Sequence, residues 1–386
     1  MIMDIRLKQF DAIRPFEPEE LPAVYDRLFA NKQFLTVLNH VYPNVPIEII
    51  AMKMRECKTS LEFQKAFCYK FIKDLLKKLS TGYDMDCSAL DIKKNYTFMS
   101  NHRDIVLDSA ILDVLLIDAG FDTTCEIAIG DNLLGLPWVK DLARLNKSFI
   151  VRRGLPLREM LLASKLLSRY MHFAIAEKHE NIWIAQRPGR AKDSDDRTST
   201  SVLKMMTMGA KGSVMELLRE LNVVPLTISY EFDPCDYLKA IELQQRRDSE
   251  QWKKGDTDDI LSMQTGIMGF KGRIHYHCAP CINDFLNTIP ADSPKEEVLK
   301  LVADHLDHEI HSNYQLFPAN YVALDMLRGG DKYKSLYTIE DRDFFDNYLD
   351  SQLAKVRMEH ADKDFLRDQM LAMYANPAIN YLAAKQ

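Results

Sequence analysis

At 386 residues with 47% hydrophobic side chains, the chain is long enough for one large domain or two to three smaller ones, with ample material for a core. A net charge of -6 and a pI of about 6.0 exclude bulk attraction to nucleic acid, and no nucleic-acid partner is expected. Seven irregularly spaced cysteines exclude a disulfide framework. The longest apolar-rich stretch, 110–119, is interrupted by Asp113 and Asp118, far short of the roughly 18 apolar residues of a membrane span.

The N-terminus carries charge too early for the apolar stretch of a signal peptide, which predicts a soluble protein of a reducing compartment. Residues 1–92 read as a helical N-terminal region. Thr59-Ser60-Leu61-Glu62 is a capping box ahead of an amphipathic run to about Lys78, and Pro43, Pro46 and the Gly82 region mark breaks. From about Asn95 the texture changes. Short β-rich runs at 96–100, 125–129, 148–151, 181–186, 223–229 and 273–278 alternate with helical patterns near 106–118, 137–144, 156–177 and 202–221. This alternation predicts an α/β fold over 93–290, a central mixed and largely parallel sheet flanked by helices. Beyond about 290 the strands stop. Ser293-Pro294-Lys295-Glu296 reads as a capping box with proline at the first helical position, and helices follow to about 312, then at 320–327, 339–358 and 363–375. This predicts a helical C-terminal region, 291–386, packed on the core.

Ligands of open α/β sheets bind where strands end and helices begin. His102 stands at such a place, in Asn101-His102-Arg103-Asp104, with Asp108 six residues on. A histidine at a strand end is most often structural, but a nearby carboxylate would orient it to take a proton from a hydroxyl near neutral pH. On a continuous helix Asp104 and Asp108 would share one face, and either is a candidate partner. Asp104 alone also suits a helix N-cap. A kinase catalytic loop is excluded, since Ser109 stands where its Asn is needed and no Gly-rich loop or Asp-Phe-Gly is present.

Arg152 and Arg153 end a strand ahead of Gly154, and guanidinium forks match phosphate oxygens. In Gln186-Arg187-Pro188-Gly189-Arg190-Ala191-Lys192, three cations flank a turn whose glycine would let backbone N–H groups approach an anion; Asp193, Asp195 and Asp196 follow and would neutralise the patch. The alternative for both clusters is ordinary solvated charge. His275, His277, Cys278 and Cys281 have zinc-like spacing without clear convergence, and His305, His308 and His311 drift around a helix, so no metal site is expected. The apolar stripe of Met160, Leu161, Leu167, Met171 and Ile175 reads as core packing rather than membrane contact.

In order, these pieces resemble the blocks of the glycerolipid acyltransferase superfamily, in particular its glycerol-3-phosphate and 1-acylglycerol-3-phosphate acyltransferase branches. Asn101-His102 with acids nearby is similar to the family's first block, which has Asp five residues after its His; Leu107 stands at that place here. Gly130-Asp131-Asn132-Leu133, Phe149-Ile150-Val151-Arg152-Arg153, Gln186–Arg190, Val224-Pro225 and Phe270-Lys271-Gly272-Arg273 resemble the later runs, and the likeness spans about Tyr96 to Cys281. Pro188 occupies the place of a family Glu, which leaves open a non-catalytic phosphate- or lipid-binding relative, or an enzyme acting on an amino-acid-headed lipid. The resemblance implies transfer of a fatty acyl group from a thioester, acyl-CoA or acyl-carrier protein, to a hydroxyl of a phosphorylated glycerol acceptor in phospholipid synthesis. It implies His102 as general base, Asp108 or Asp104 as its partner, and Arg152, Arg153, Arg187, Gly189, Arg190 and Lys192 as substrate-binding residues. A thioester is already activated, so no cofactor is implied. The implied location is cytoplasmic, peripheral at the inner face of a membrane.

Overall fold

The computed structural model describes residues 5–255 and 257–386. Among these residues seven strands form one sheet: β1 (Gly82–Asp86), β2 (Thr97–Ser100), β3 (Cys125–Gly130), β4 (Ser148–Val151), β5 (Asn181–Ala185), β6 (Val223–Tyr230) and β7 (Arg273–Cys278). Their order is β1-β7-β6-β2-β5-β3-β4, and every pairing is parallel except β6 with β7. This is an α/β fold with a mixed, largely parallel sheet.

The helices of the N-terminal region are α1 (Ile5–Lys8), α2 (Leu21–Ala30), α3 (Lys32–Val41), α4 (Ile47–Glu56), α5 (Ser60–Phe63) and α6 (Tyr69–Leu79). The Thr59 hydroxyl caps α5 by accepting from the Glu62 N–H, while the Glu62 carboxylate reaches back to Lys58 N–H. Within and around the sheet lie α7 (Leu107–Ala119), α8 (Pro137–Leu145), α9 (Leu157–Ala176), α10 (Thr200–Met206), α11 (Val214–Glu220), α12 (Asp236–Asp248), α13 (Asp258–Met268) and α14 (Asn283–Leu286). The C-terminal region is α15 (Lys295–Ser312), α16 (Pro318–Arg328), α17 (Ile339–Leu353) and α18 (Lys363–Ala384).

Alternation along the strands divides the core into two layers. Met99, Ile182, Ile184 and Val223 face α9, α10, α11 and α15, while Phe98, Trp183, Val224 and Leu226 face α6 and α7. A third apolar cluster joins α12 to α16, α17 and α18, and a fourth joins α2, α3, α4 and α8.

Several sequence expectations need correction. The N-terminal region is not wholly helical, because Gly82–Asp86 adds an edge strand beside β7. The sheet therefore begins about ten residues before the boundary expected at 92. The helical pattern over 202–221 is broken at Gly209 and Gly212 into α10 and α11, the second started by a Ser213–Glu216 capping box. Pro294 is the N-cap of α15 rather than its first residue, and no side chain caps that end. The helix expected over 339–358 stops at Leu353, and the last runs through Pro377 to Ala384.

One buried acid makes folding pH-dependent. Asp113 on α7 accepts hydrogen bonds from Gln64 and from Cys125 N–H, and burial pushes its carboxyl up to about 7. An acid whose folded value lies above its unfolded one binds an extra proton in the folded state between about pH 4 and 7. Its contribution to stability is therefore fullest at about pH 4 and is lost as pH rises through 7. Each tenfold change in proton affinity is worth about 1.4 kcal/mol, so the loss amounts to a few kcal/mol. Asp113→Asn keeps an acceptor for Cys125 N–H and removes the charge. Urea unfolding at pH 5 and pH 8 should show the variant losing less stability between the two than the parent; parallel losses would contradict the assignment.

Candidate active site

The centre of the sheet fixes the residues that follow β2. Asn101, fully buried, donates to Ile228 C=O at 2.9 Å and accepts from Ile228 N–H at 2.8 Å, locking the end of β2 to β6. On the other side Gln186 N–H donates to Ser100 C=O at 2.8 Å. His102 thus leaves the sheet between β6 and β5, at the C-terminal end of its central strand. Its ring stands edge-on to Trp183, with centroids 5.4 Å apart, and the indole N–H is held by the Ser100 hydroxyl.

The His102 imidazole Nδ1 lies 2.7 Å from Asp108 Oδ2. The same oxygen accepts the Arg103 N–H at 2.6 Å, and Tyr276 O–H donates to the Asp108 C=O at 2.9 Å. Asp108 is wholly buried, in the first turn of α7, where unpaired N–H groups favour negative charge. With Nδ1–H donating to this carboxylate, Nε2 is the ring nitrogen that carries the lone pair. Among the described residues Nε2 has no hydrogen-bond partner, and the His102 side chain is 12% exposed. The arrangement leaves one ring nitrogen without a partner on an imidazole whose orientation is fixed, which suits proton abstraction.

Asp104 does something else. Its carboxylate accepts the N–H groups of Val106 and Leu107 at 2.9 and 2.8 Å and so caps the entry to α7. The two acids do not share a helical face, because α7 begins only at Leu107. Burial, and then the charge of Asp108, raise the Asp104 carboxyl above its usual range. Helix α13 lies against it: a Cβ on Gly266 would stand 2.1 Å from Asp104 Oδ2.

The expected cations are not gathered in one place. Arg187 follows Gln186 as His102 follows Asn101, on adjacent strands. Arg152 ends β4 at the sheet edge, three strands from β2. At about 4.8 Å per strand that is about 14 Å from His102. Arg152 and Arg153 are exposed, and Arg153 N–H donates to Asp131. Gly189 has φ 79°, a left-handed conformation that suits the second central residue of a Pro-Gly turn.

Arg190 is buried behind this turn, and its Nη1 has no hydrogen-bond partner among the described residues. Its charge helps hold the Asp233 carboxyl low, although burial alone would raise it and Lys239 contributes more. Lys192 pairs with Glu242 at 2.9 Å, and burial, followed by Arg190, pushes its ammonium down to about 8. These two cations are turned toward α12. The acids after the turn also have partners other than Arg190: Asp196 binds Arg103 at 2.7 Å, and Asp195 binds Arg197 at 3.1 Å.

Sequence reasoning did not foresee the role of Arg103, whose backbone N–H holds Asp108 while its buried guanidinium is tied to Asp196 and Tyr314. It also missed Trp183, Tyr276 and the cover formed by α13. A basic residue between His102 and Asp104 was the one available signal for the first. The others come from strand order and were not readable locally. His275 and His277 face Asp84 and Asp86 of β1, and among the described residues no group of three or more His, Cys, Asp and Glu is placed to hold a metal ion.

No protein-family model matches the chain. No curated protein matches it either. Among solved structures it is similar to the crystal structure of the 1-acyl-sn-glycerophosphate acyltransferase of Thermotoga maritima, with 9% identity, a TM-score of 0.37, and coverage of 77% of this chain and 98% of that one.

Proposed function

We propose that the protein transfers a fatty acyl group from a thioester, acyl-CoA or acyl-carrier protein, to a hydroxyl of glycerol-3-phosphate or 1-acylglycerol-3-phosphate, working peripherally at a membrane. The observation that carries this reading is the His102–Asp108 pair at 2.7 Å with the imidazole Nε2 free, in a chain whose sequence blocks resemble those of glycerolipid acyltransferases.

The acceptor hydroxyl gives its proton to Nε2 as its oxygen attacks the thioester carbonyl, a contribution typically worth about 10²–10⁴-fold. Asp108 stabilises the imidazolium that forms and keeps the ring in place. The tetrahedral intermediate collapses with rupture of the C–S bond, and the thiolate takes the proton back from Nε2. Backbone N–H groups at the Pro188-Gly189 turn are candidates for the oxyanion. Arg187, one strand from His102, is the candidate for the acceptor phosphate, and Arg152 and Arg153 at the sheet edge suit a second anionic group, such as a donor phosphate.

His102→Ala should abolish thiol release from acyl-CoA in the presence of either acceptor, with the far-UV circular dichroism spectrum unchanged. Asp108→Asn should cost about 10²-fold or more in kcat, since it removes the group that fixes the tautomer. Turnover that survives His102→Ala refutes the reading, and lipid binding without thioester consumption by the parent protein would favour a non-catalytic relative.

The cation split gives a second outcome. Arg187→Ala should raise KM for the phosphorylated acceptor about tenfold or more, whereas Arg152→Ala should leave that KM near the parental value. Equal effects on acceptor KM would place both guanidinium groups on one phosphate, against the strand order.

A further inference from the structure

Helix α9 changes character along its length. From Leu167 onward it is a core helix, with Leu167, Tyr170, Met171, Ala174 and Ile175 buried. Its first turns are not: residues 156–162 are all exposed, Leu157 by 69% and Leu162 by 61%. A helix end that exposes leucine to water loses the burial that stabilises most apolar helices.

The exposed side has a pattern. Arg158, Leu161, Leu162, Lys165 and Arg169 recur at i, i+3, i+4, i+7 and i+11, which places them on one stripe, and all are exposed. Among the described residues, Arg158 and Lys165 have no ion-pair partner, so their charge is free for another surface. Exposed leucines beside exposed lysine and arginine, with Glu159 the one acid in these turns, let the apolar side chains enter an acyl boundary while the long cations reach back to anionic headgroups. Beneath these turns runs a groove of about 330 Å³ lined by Ile150, Val151, Leu155, Leu162, Leu166 and Met205.

This face is continuous with the end of the sheet that holds His102. Asp131 accepts from Arg153 N–H, Asn132 donates to Asp259 at the start of α13, and Gly266 of α13 abuts Asp104. Leu136, beyond Asn132, and Ile260 and Leu261, beside Asp259, are exposed as well.

We propose that the first two turns of α9, with Leu136 and the start of α13, form the surface by which the protein docks on an anionic lipid bilayer. The leucines enter the acyl boundary, and Arg158 and Lys165 meet the headgroups. The proposal rests on the acyl-transfer reading for the choice of a bilayer as partner, and it deepens that reading by giving the membrane contact a place.

Co-sedimentation with phosphatidylcholine vesicles containing phosphatidylglycerol tests it without turnover, so the two ideas fail separately. The parent protein and His102→Ala should bind equally, and more weakly as salt rises. Leu157→Glu/Leu161→Glu/Leu162→Glu should lower binding about tenfold or more, and Arg158→Glu/Lys165→Glu should remove the preference for phosphatidylglycerol. All five side chains are exposed, so both variants should keep the parental circular dichroism and melting temperature. A parent protein that ignores vesicles, or a triple variant that binds as the parent does, overturns the proposal. So does a parental dimer, seen by light scattering without vesicle binding, that the triple variant splits.

Discussion

Burying a carboxylate away from water is costly unless it is paired, and Asp108 is such a group: its Oδ2 is paired, while its buried Oδ1 has no hydrogen-bond partner among the described residues. Its compensation comes from His102, from the Arg103 N–H and from its position in the first turn of α7. None of these works unless the end of β2 and the start of α7 are held in register. Asn101 supplies that hold through its two hydrogen bonds to Ile228, and Tyr276 pins the backbone of Asp108 itself. One buried charge thus ties together β2, β6, β7 and α7. The same contacts that make it tolerable also orient the imidazole.

The second layer of this arrangement reaches the C-terminal helices. Arg103 offers its backbone to Asp108 and its guanidinium to Asp196, and Asp196 is held in turn by Tyr314 and, through its carbonyl, by His311 of α15. A C-terminal region joined only by apolar contacts would be free to slide. Here it shares a charge network with the loop that carries His102. Helix α13 closes the remaining side, and glycine at 266 is what allows it to approach Asp104. Its close fit covers the Asp104 carboxylate, which is buried.

Strand positions were readable because β2, β3, β4, β5 and β6 are largely apolar runs and β7 alternates polar with apolar residues, each between turn signals. β1 was not, because Gly82-Tyr83-Asp84-Met85-Asp86 carries two acids and is an edge strand that is half-buried throughout, with no buried apolar face. The pairing of His102 with an acid was readable in kind. Helical spacing, however, left Asp104 and Asp108 equivalent, and residues 103–106 are not helical. An acid at the non-helical approach caps N–H groups, while one in the first turn points back at the strand end. That distinction depends on where the helix starts, which periodicity gives only to within a few residues.

Sheet order separates the cations by task. Local sequence puts Arg152, Arg153, Arg187, Arg190 and Lys192 at strand ends and so suggests one anion site. The order β5-β3-β4 instead sets these ends about 10 Å apart, wider than a single phosphate. Burial then divides the group again. Arg190 and Lys192 face Asp233, Glu242 and Lys239, where removing a cation would strand an acid in the interior. Only cations left facing solvent can respond to a ligand without unbalancing the core. By that argument Arg187, Arg152 and Arg153 are the proposed anion ligands that binding would not unbalance, and Pro188 between Arg187 and Gly189 takes no positive charge from that group. A glutamate in its place would weaken a phosphate grip by Arg187 while strengthening a contact to a hydroxyl or an amine.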